Sequence, residues 1–506
     1  MDLVSQIKAL NKIGIALTSE TNLQKLMELI LEEARELTNA DGGSLYLKEK
    51  DKLTFYVTQN KTLNDRENFC GGFKHHTLPI SKESIAGFAA ITGEILTIKD
   101  AYKISKSAPY NFNYDFDKEN EYRTRSVLVV PLMTPDEDVV GVLQLINATD
   151  EREAVISFPE DVIPLAKSLA SQAAVALRNA RLIYDIKKLL KSIIQFSASA
   201  IDARSPHTAG HSRRVAEYSR AIAEAISQAN SGTFADVFFT PDELEELYYS
   251  AWLHDIGKIG IPESVLDKHN KVSRATLSAI KSRFELASFI EMHRQVREDC
   301  NGGDEIVDME AIQNEIMAAA QNKIAFIERI NTSNQLSNEE FDLLKELAES
   351  SFNGLDGGAY PYLDKQEFVA LAIRQGNLTD QEYKKIQSHV VHTQKIIQNI
   401  PFPEYLENVP LYASSHHEMV DGSGYPKGLK GDELPLQSRI LAVVDIFDAL
   451  TAVDRPYRKS MSAKKAIEFL QDEVKKGRLD VDVVDIFVRK KLYESILVKS
   501  KEDYLV

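Results

Sequence analysis

Hydrophobic positions along the chain change period several times, and each change marks an element. Across residues 22–39, Leu26, Leu29, Ile30, Ala34 and Leu37 fall on one helical stripe. Residues 43–47 and 52–57 alternate at the strand period, with turn-forming residues between them. Residues 126–132 and 139–146 are dense in Val, Leu and Ile and are separated by Pro135-Asp136-Glu137-Asp138, which predicts a hairpin. The polar, aromatic stretch 103–125 lacks a clear period and reads as a loop over a pocket.

From residue 158 to about 203 the pattern becomes helical and stays so. Pro159 suits a first turn, and Ile163, Leu165, Ala166, Leu169, Leu177, Ile183, Leu189, Ile193 and Ile194 follow. A striped helix of this length predicts a partner helix, so it reads as a connector between domains and a homodimer contact. Residues 195–272 and 377–495 read as helices joined by short loops. Thr240-Pro241-Asp242-Glu243 and Thr379-Asp380-Gln381-Glu382 are capping boxes. Residues 273–376 form a separate helical block with another box at Ser337–Glu340; the glycine-rich 353–362 reads as a loop.

Composition narrows the class. The chain has 506 residues, of which 43% are hydrophobic and 27% charged, so two to four domains are expected. Its longest apolar runs fall short of the ~18 residues that span a bilayer, and Met1 to Leu10 lacks signal-peptide features. Cys70 and Cys300 are too few for a disulfide framework, which fits a reducing cytoplasm. A formal charge of −16 argues against a nucleic-acid polymer as partner, while a small anionic ligand in a metal-bearing pocket stays compatible.

The chemistry concentrates in the C-terminal half. The helix launched at Thr240 ends by presenting His254 and Asp255. A paired metal site needs a bridging carboxylate flanked by imidazoles, and adjacent His and Asp supply both. Lys258, expected one turn on along the same helix, would steady a phosphate oxygen. His416-His417, read as consecutive helical residues, would address different metals and lead into Glu418, Asp421 and Gly422-Ser423-Gly424-Tyr425-Pro426. Asp445 and Asp448 sit in an otherwise apolar helix, where a carboxylate must be paired or metal-bound; Asp445 is the expected ligand and Asp448 its supporting partner. His389 follows the second capping box on the same predicted helix. His207 and His211 share a helix face at i,i+4, and Arg455 with Arg458 could grip a phosphodiester. His75-His76 reads as solvent-exposed.

Taken together, Thr208-Ala209-Gly210-His211-Ser212-Arg213-Arg214-Val215, His254 to Pro262, His416 to Pro426, Pro435 to Ile440, Asp445 to Leu450 and Arg455 to Arg458 resemble the HD-GYP family of metal phosphohydrolases. The resemblance implies an all-α HD-GYP domain over 204–495 with a helical insertion at about 273–376. It also implies hydrolysis of cyclic di-GMP to linear pGpG or GMP. His211, His254, Asp255, His389, His416, His417 and Asp445 would bind two or three divalent ions, iron or manganese, with Asp255 and Lys258 catalytic. His207, where three-metal members carry a carboxylate, is the candidate third-metal ligand; Arg455, Arg458, Tyr425 and Gly424 would contact substrate. Residues 1–180 resemble a GAF domain, an antiparallel sheet with flanking helices, from Asp41-Gly42-Gly43-Ser44-Leu45-Tyr46-Leu47 through the 126–146 hairpin. Its ligand is unassigned, and the connecting helix at 181–203 would carry its signal. Two alternatives stand beside this reading: a receptor that binds cyclic dinucleotides with poor turnover, and an HD phosphohydrolase for another nucleotide phosphoester. The insertion is a candidate docking surface for a protein partner.

Overall fold

A computed structural model describes residues 3–64, 77–204, 210–300, 309–452, 461–494 and 496. The chain divides into two compact units, Met1–Leu190 and Lys191–Val506.

The first unit begins with α1 (Leu3–Ser19) and α2 (Leu23–Thr38), the latter capped by Asn22, whose side chain accepts from the Lys25 amide. β1 (Ala40–Glu49), β2 (Lys52–Asn60), α3 (Lys61–Asn64), β3 (Thr77–Pro79), α4 (Ile85–Thr92) and β4 (Leu96–Ile98) follow. After α5 (Asp115–Glu119) come β5 (Val127–Met133), β6 (Val139–Thr149), β7 (Val155–Ile156) and the long helix α6 (Val162–Asp202). The strands form one antiparallel sheet in the order β3-β2-β1-β6-β5-β4, with β7 on β6. The hydrophobic hairpin is β5–β6, closed between Met133 and Val139. Alternation along each strand splits the apolar side chains between two cores. Leu26, Ile30 and Leu31 of α2 join Leu143 of β6 and Leu169 and Ala173 of α6 on one face. Ile85 and Ala89 of α4 meet Val127, Val129 and Val142 on the other.

The stretch 103–125 is more ordered than its composition predicts. Asp117, buried in α5, accepts from the Thr124 amide at 2.8 Å, the Thr124 hydroxyl at 2.7 Å and the Tyr102 hydroxyl at 2.9 Å. Three donors on one carboxylate fold the segment back on itself, a long-range arrangement that periodicity does not reveal. A cavity of about 910 Å³ lies elsewhere in this unit, lined by Gly14 and Thr18 of α1, Ile95, Met133 and Lys167 and Val175 of α6.

In the second unit α7 (His211–Ser227) packs on α8 (Pro241–Leu253), whose Thr240–Glu243 capping box forms as predicted. A 3-10 turn (Ile256–Gly260) and the short α9 (Glu263–Leu266) lead to α10 (Arg274–Cys300), α11 (Met309–Thr332), α12 (Asn338–Glu349), β8 (Ser351–Asn353), β9 (Ala359–Pro361) and α13 (Lys365–Leu371). Then come α14 (Asp380–Gln387), α15 (His389–Ile397), α16 (Val409–Ser414), α17 (Leu436–Thr451), α18 (Ala463–Lys475) and α19 (Val481–Arg489). Edge-to-face contacts join Tyr218 of α7 to Phe447 of α17 at 5.7 Å and to Phe487 of α19 at 5.9 Å, tying three helices together.

Residues of the 273–376 block share a core of their own, with Ile280, Phe284, Ile327, Ile330, Leu344 and Leu371 in contact. Arg283 clasps Glu367 through both guanidinium nitrogens, at 2.7 and 3.1 Å. The segment read as a loop at 353–362 is a small hairpin, with Phe352 paired to Tyr360. Asp356 holds its turn by accepting from the Gly358 amide and the Tyr360 hydroxyl. Three glycines and a proline obscured two strands of three residues each.

Candidate metal centre

The site forms where four helix ends and one turn meet inside the second unit. Each backbone segment delivers its histidine at a break in helical structure. His211 is the first residue of α7, and His254 caps the C-terminus of α8. His389 opens α15, because the helix predicted to run through it stops and restarts at Ser388. His416 and His417 lie in the turn after α16, correcting the helical reading. Lys258 likewise lies in the 3-10 turn after α8 and still reaches Asp255. At helix ends the rings are free of the spacing a continuous helix would impose, so imidazoles distant in sequence can converge.

Gly257 makes this convergence possible. A Cβ there would collide with the His389 carbonyl and the Thr393 amide, so only glycine lets the turn after Asp255 lie against α15. Thr393 joins the two segments, accepting from the Gly257 amide at 3.0 Å and donating to the His254 carbonyl at 2.9 Å. Gly424 plays the same part in the second motif, where a side chain would strike the backbone of His417 to Met419.

Three histidines are oriented by one local device. The Nδ1 atoms of His254, His389 and His416 face the carbonyls of Ala251, Ile386 and Ala413 at 2.6, 2.7 and 2.6 Å. A ring nitrogen against a carbonyl oxygen must donate, so Nε2 is the atom each ring turns inward, with a lone pair free whenever that ring is neutral. His211 reaches the same state through Asp448, whose Oδ2 is 2.7 Å from its Nδ1. Arg214 pairs with both oxygens of Asp448, at 2.7 and 2.9 Å, and so neutralises that buried carboxylate.

The inward atoms form overlapping groups. His211, His254 and Asp445 make one; His389, His416 and His417 make another; His254, Asp255 and His416 make a third. Asp255 stands between them, with Oδ2 at 3.5 Å from His211 and 3.3 Å from His254, and Oδ1 at 3.3 Å from His389. Asp445 faces His211 at 3.2 Å and His417 at 3.8 Å. The Nε2 atoms of His211 and His254 are 3.2 Å apart. Two inward lone pairs at that distance repel unless a proton or a cation lies between them. This crowd of nitrogen and carboxylate donors, with no thiolate, fits a divalent metal ion.

The ionisation states follow from the same crowding. Burial alone would lower His254, but the charges of Asp255 and Asp445 prevail and push it up to about 9. His211 is raised too, its contacts with Asp255, Asp445 and Asp448 outweighing burial. His416 is driven well down by burial beside His417 and His254, and His417 falls to about 4, chiefly through burial. Against the penalty of burial, Lys258 and His254 hold Asp255 well below the ordinary carboxylate range. Asp255 in turn keeps Lys258 protonated.

Of the remaining predicted site residues, Tyr425 lies half-buried with its ring 4.9 Å from that of His417, at the side of the centre where His417 is 24% exposed. His207, Arg455 and Arg458 lie outside the described residues. The sequence reading missed Thr393, and it quoted Arg214 and Glu418 within their motifs without giving either a role. Glu418 is fully buried and accepts the amides of Lys427 and Leu429, fixing the loop that carries Gly424 and Tyr425. A carboxylate directly after two histidines of the cluster was the available signal.

This architecture defines the class. Residues 22–177 match the GAF domain model, while 208–316 and 366–483 match two HD domain models, so the chain carries a GAF domain followed by an HD domain. Both HD matches contain residues of the cluster. Among curated relatives, 3'3'-cGAMP-specific phosphodiesterase 1 of Vibrio cholerae is 40% identical over 26% of this chain and 30% of its own length. The 3'3'-cGAMP-specific phosphodiesterase 3 of the same organism is 24% identical over 56% of this chain and 36% of its own. The cyclic di-GMP phosphodiesterase response regulator RpfG of Xanthomonas campestris pv. campestris is 35% identical over 24% and 31%, respectively. The chain thus spans about a third of the length of these relatives.

Proposed function

We propose that this chain is a metal-dependent phosphodiesterase that opens a cyclic dinucleotide, cyclic di-GMP, to linear pGpG or GMP under control of its GAF domain. The observation that carries the reading is the convergence of His211, His254, Asp255, His389, His416, His417 and Asp445 around Lys258. Those seven residues, with Asp255 set among the imidazoles, would hold two divalent ions, Fe or Mn, with His207 the candidate for a third. Ions bound there would activate water and share the charge that develops on the phosphate. Lys258 would meet a phosphate oxygen with its ammonium, already held forward by Asp255. Tyr425, Gly424, Arg455 and Arg458 would contact the substrate.

A second substrate is favoured by a specific observation: two of the relatives above are named for 3'3'-cGAMP. The test is anaerobic purification, metal analysis by mass spectrometry, and turnover of cyclic di-GMP and 3'3'-cGAMP on the same sample. Two or more ions per chain with release of linear product is the expected result, and the ratio of the two rates names the substrate. A loaded site with no turnover of either would replace the enzyme reading with that of a receptor or of a hydrolase for another phosphoester.

The proposal includes a homodimer through α6. Leu182, Ile186, Leu189, Ile193 and Phe196 repeat at alternating steps of four and three and are 52–75% exposed. Ile and Leu in that alternation, with exposed Asn179 in the same frame, are the choices of a two-stranded coiled coil. The insertion, with a core of its own, is the proposed docking surface for a protein partner.

A further inference from the structure

A helix leaves its first amides and last carbonyls unpaired, and a neighbouring side chain usually supplies the missing partners. The two elements that carry His211 and Lys258 lack such local partners. At the start of α7 the capping position is Gly210, which has no side chain to offer. The 3-10 turn Ile256–Gly260 begins at Asp255, whose side chain makes no capping bond because it is committed to the cluster.

The end of α6 and the turn directly after it reach both: Asp202 takes an amide at the start of α7, and Arg204 takes carbonyls at the far end of the 3-10 turn, whose Gly257 amide Thr393 already satisfies. Asp202, the final residue of that helix, is buried and accepts the Ser212 amide at 3.1 Å on one oxygen and the Ser212 hydroxyl at 3.0 Å on the other. It therefore caps α7 from another helix, one residue beyond His211, where a negative charge suits the positive helix end. Two residues on, Arg204 donates to the carbonyls of Lys258 at 3.3 Å, Ile259 at 3.0 Å and Ile261 at 3.1 Å. One planar guanidinium thus gathers three carbonyls of the turn that carries Lys258, which an ammonium cannot do with the same geometry.

We infer that Asp202 and Arg204 are positioning residues, through which the end of α6 sets the placement of His211 and Lys258. They act through Ser212 and through backbone carbonyls. A shift of the last turn of α6 would move a metal-binding imidazole and the phosphate-facing lysine together. The inference rests on the proposed function for its readout of turnover, and on metal content for a readout independent of it.

The experiment uses the full chain with Arg204→Ala, Arg204→Lys, Asp202→Ala and Lys258→Ala, alone and combined. Metal per chain, thermal midpoint and hydrolysis of cyclic di-GMP and bis(p-nitrophenyl) phosphate are measured. Misplacing a reacting group by about an ångström costs on the order of a hundredfold in rate. Arg204→Ala should lower kcat by about ten- to a hundredfold with KM and metal content little changed, and Arg204→Lys should recover part of that loss. On a Lys258→Ala background, Arg204→Ala should add nothing, because it acts through that lysine. Asp202→Ala should reduce metal content by weakening His211. Additive losses in the double variant, or full activity in both Arg204 variants, would overturn the assignment of Arg204. Unchanged metal content in Asp202→Ala would overturn that of Asp202. If Arg204→Ala does not fold, Arg204→Lys on the two backgrounds carries the same comparison. Absence of turnover of cyclic di-GMP in the unmodified protein would count against the proposed function alone, since the metal content of Asp202→Ala still decides the role of Asp202 and the bis(p-nitrophenyl) phosphate rates that of Arg204.

Discussion

Proton occupancy at single residues governs how this site would take up metal. His254 is pushed up to about 9 by the surrounding carboxylates once burial is overcome, so in the metal-free protein it holds a proton at neutral pH. A cation must displace that proton, and its apparent affinity should rise as pH climbs from 6.5 towards 9. Calorimetry of Mn²⁺ binding in buffers of different ionisation enthalpy should therefore record proton release; an affinity flat across that window would contradict it. Arg214 offers a second test. Its guanidinium holds Asp448 through two bonds in a buried setting, so Arg214→Leu leaves a buried charge without that partner and should cost about 3–5 kcal/mol in a denaturant titration. Asp448→Leu added to it should give less than the sum of the two losses.

At the scale of elements, much of the site could be read from the sequence, because each motif packs several chemical residue types into a short run. Three capping boxes, the β5–β6 hairpin and the apolar α17 with its two aspartates all follow from local pattern. What stayed hidden depends on contacts distant in sequence. Helix breaks at Ser388 and after Ser414 turn the histidines inward, and Thr393 bonds both sides of the His254 turn. Arg214 looks like any surface arginine on a helix until α17 is packed beside it. The exposed stripe of α6 belongs at this scale as well. Ile186→Asp with Ile193→Asp should convert a dimer to a monomer by light scattering, since each charge would be buried in the seam. A dimer that survives both changes would place the interface elsewhere.

At the scale of the whole molecule, α6 runs on from the GAF domain, and its last residue together with the turn after it holds two elements of the His/Asp cluster. Among the described residues, no helix is long and apolar enough to cross a membrane. If the GAF domain regulates the reaction, removing residues 1–180 should alter kcat by several-fold, and full-chain activity should respond to a ligand that the shortened protein ignores. Equal kinetics in the two proteins would leave the GAF domain without a regulatory role.

The wide spacing of the cluster also has a consequence for synthesis. His254 and Asp255 leave the ribosome long before Asp445, because the self-contained 273–376 block is made in between. At about 5–20 residues per second, that delay is roughly ten to forty seconds. Throughout it His254 and Asp255 exist without Asp445, so a metal that the finished cluster would hold meets only part of its donors in the nascent chain. Metal selection would then be a post-translational event, decided by which ions are present when α17 closes the centre.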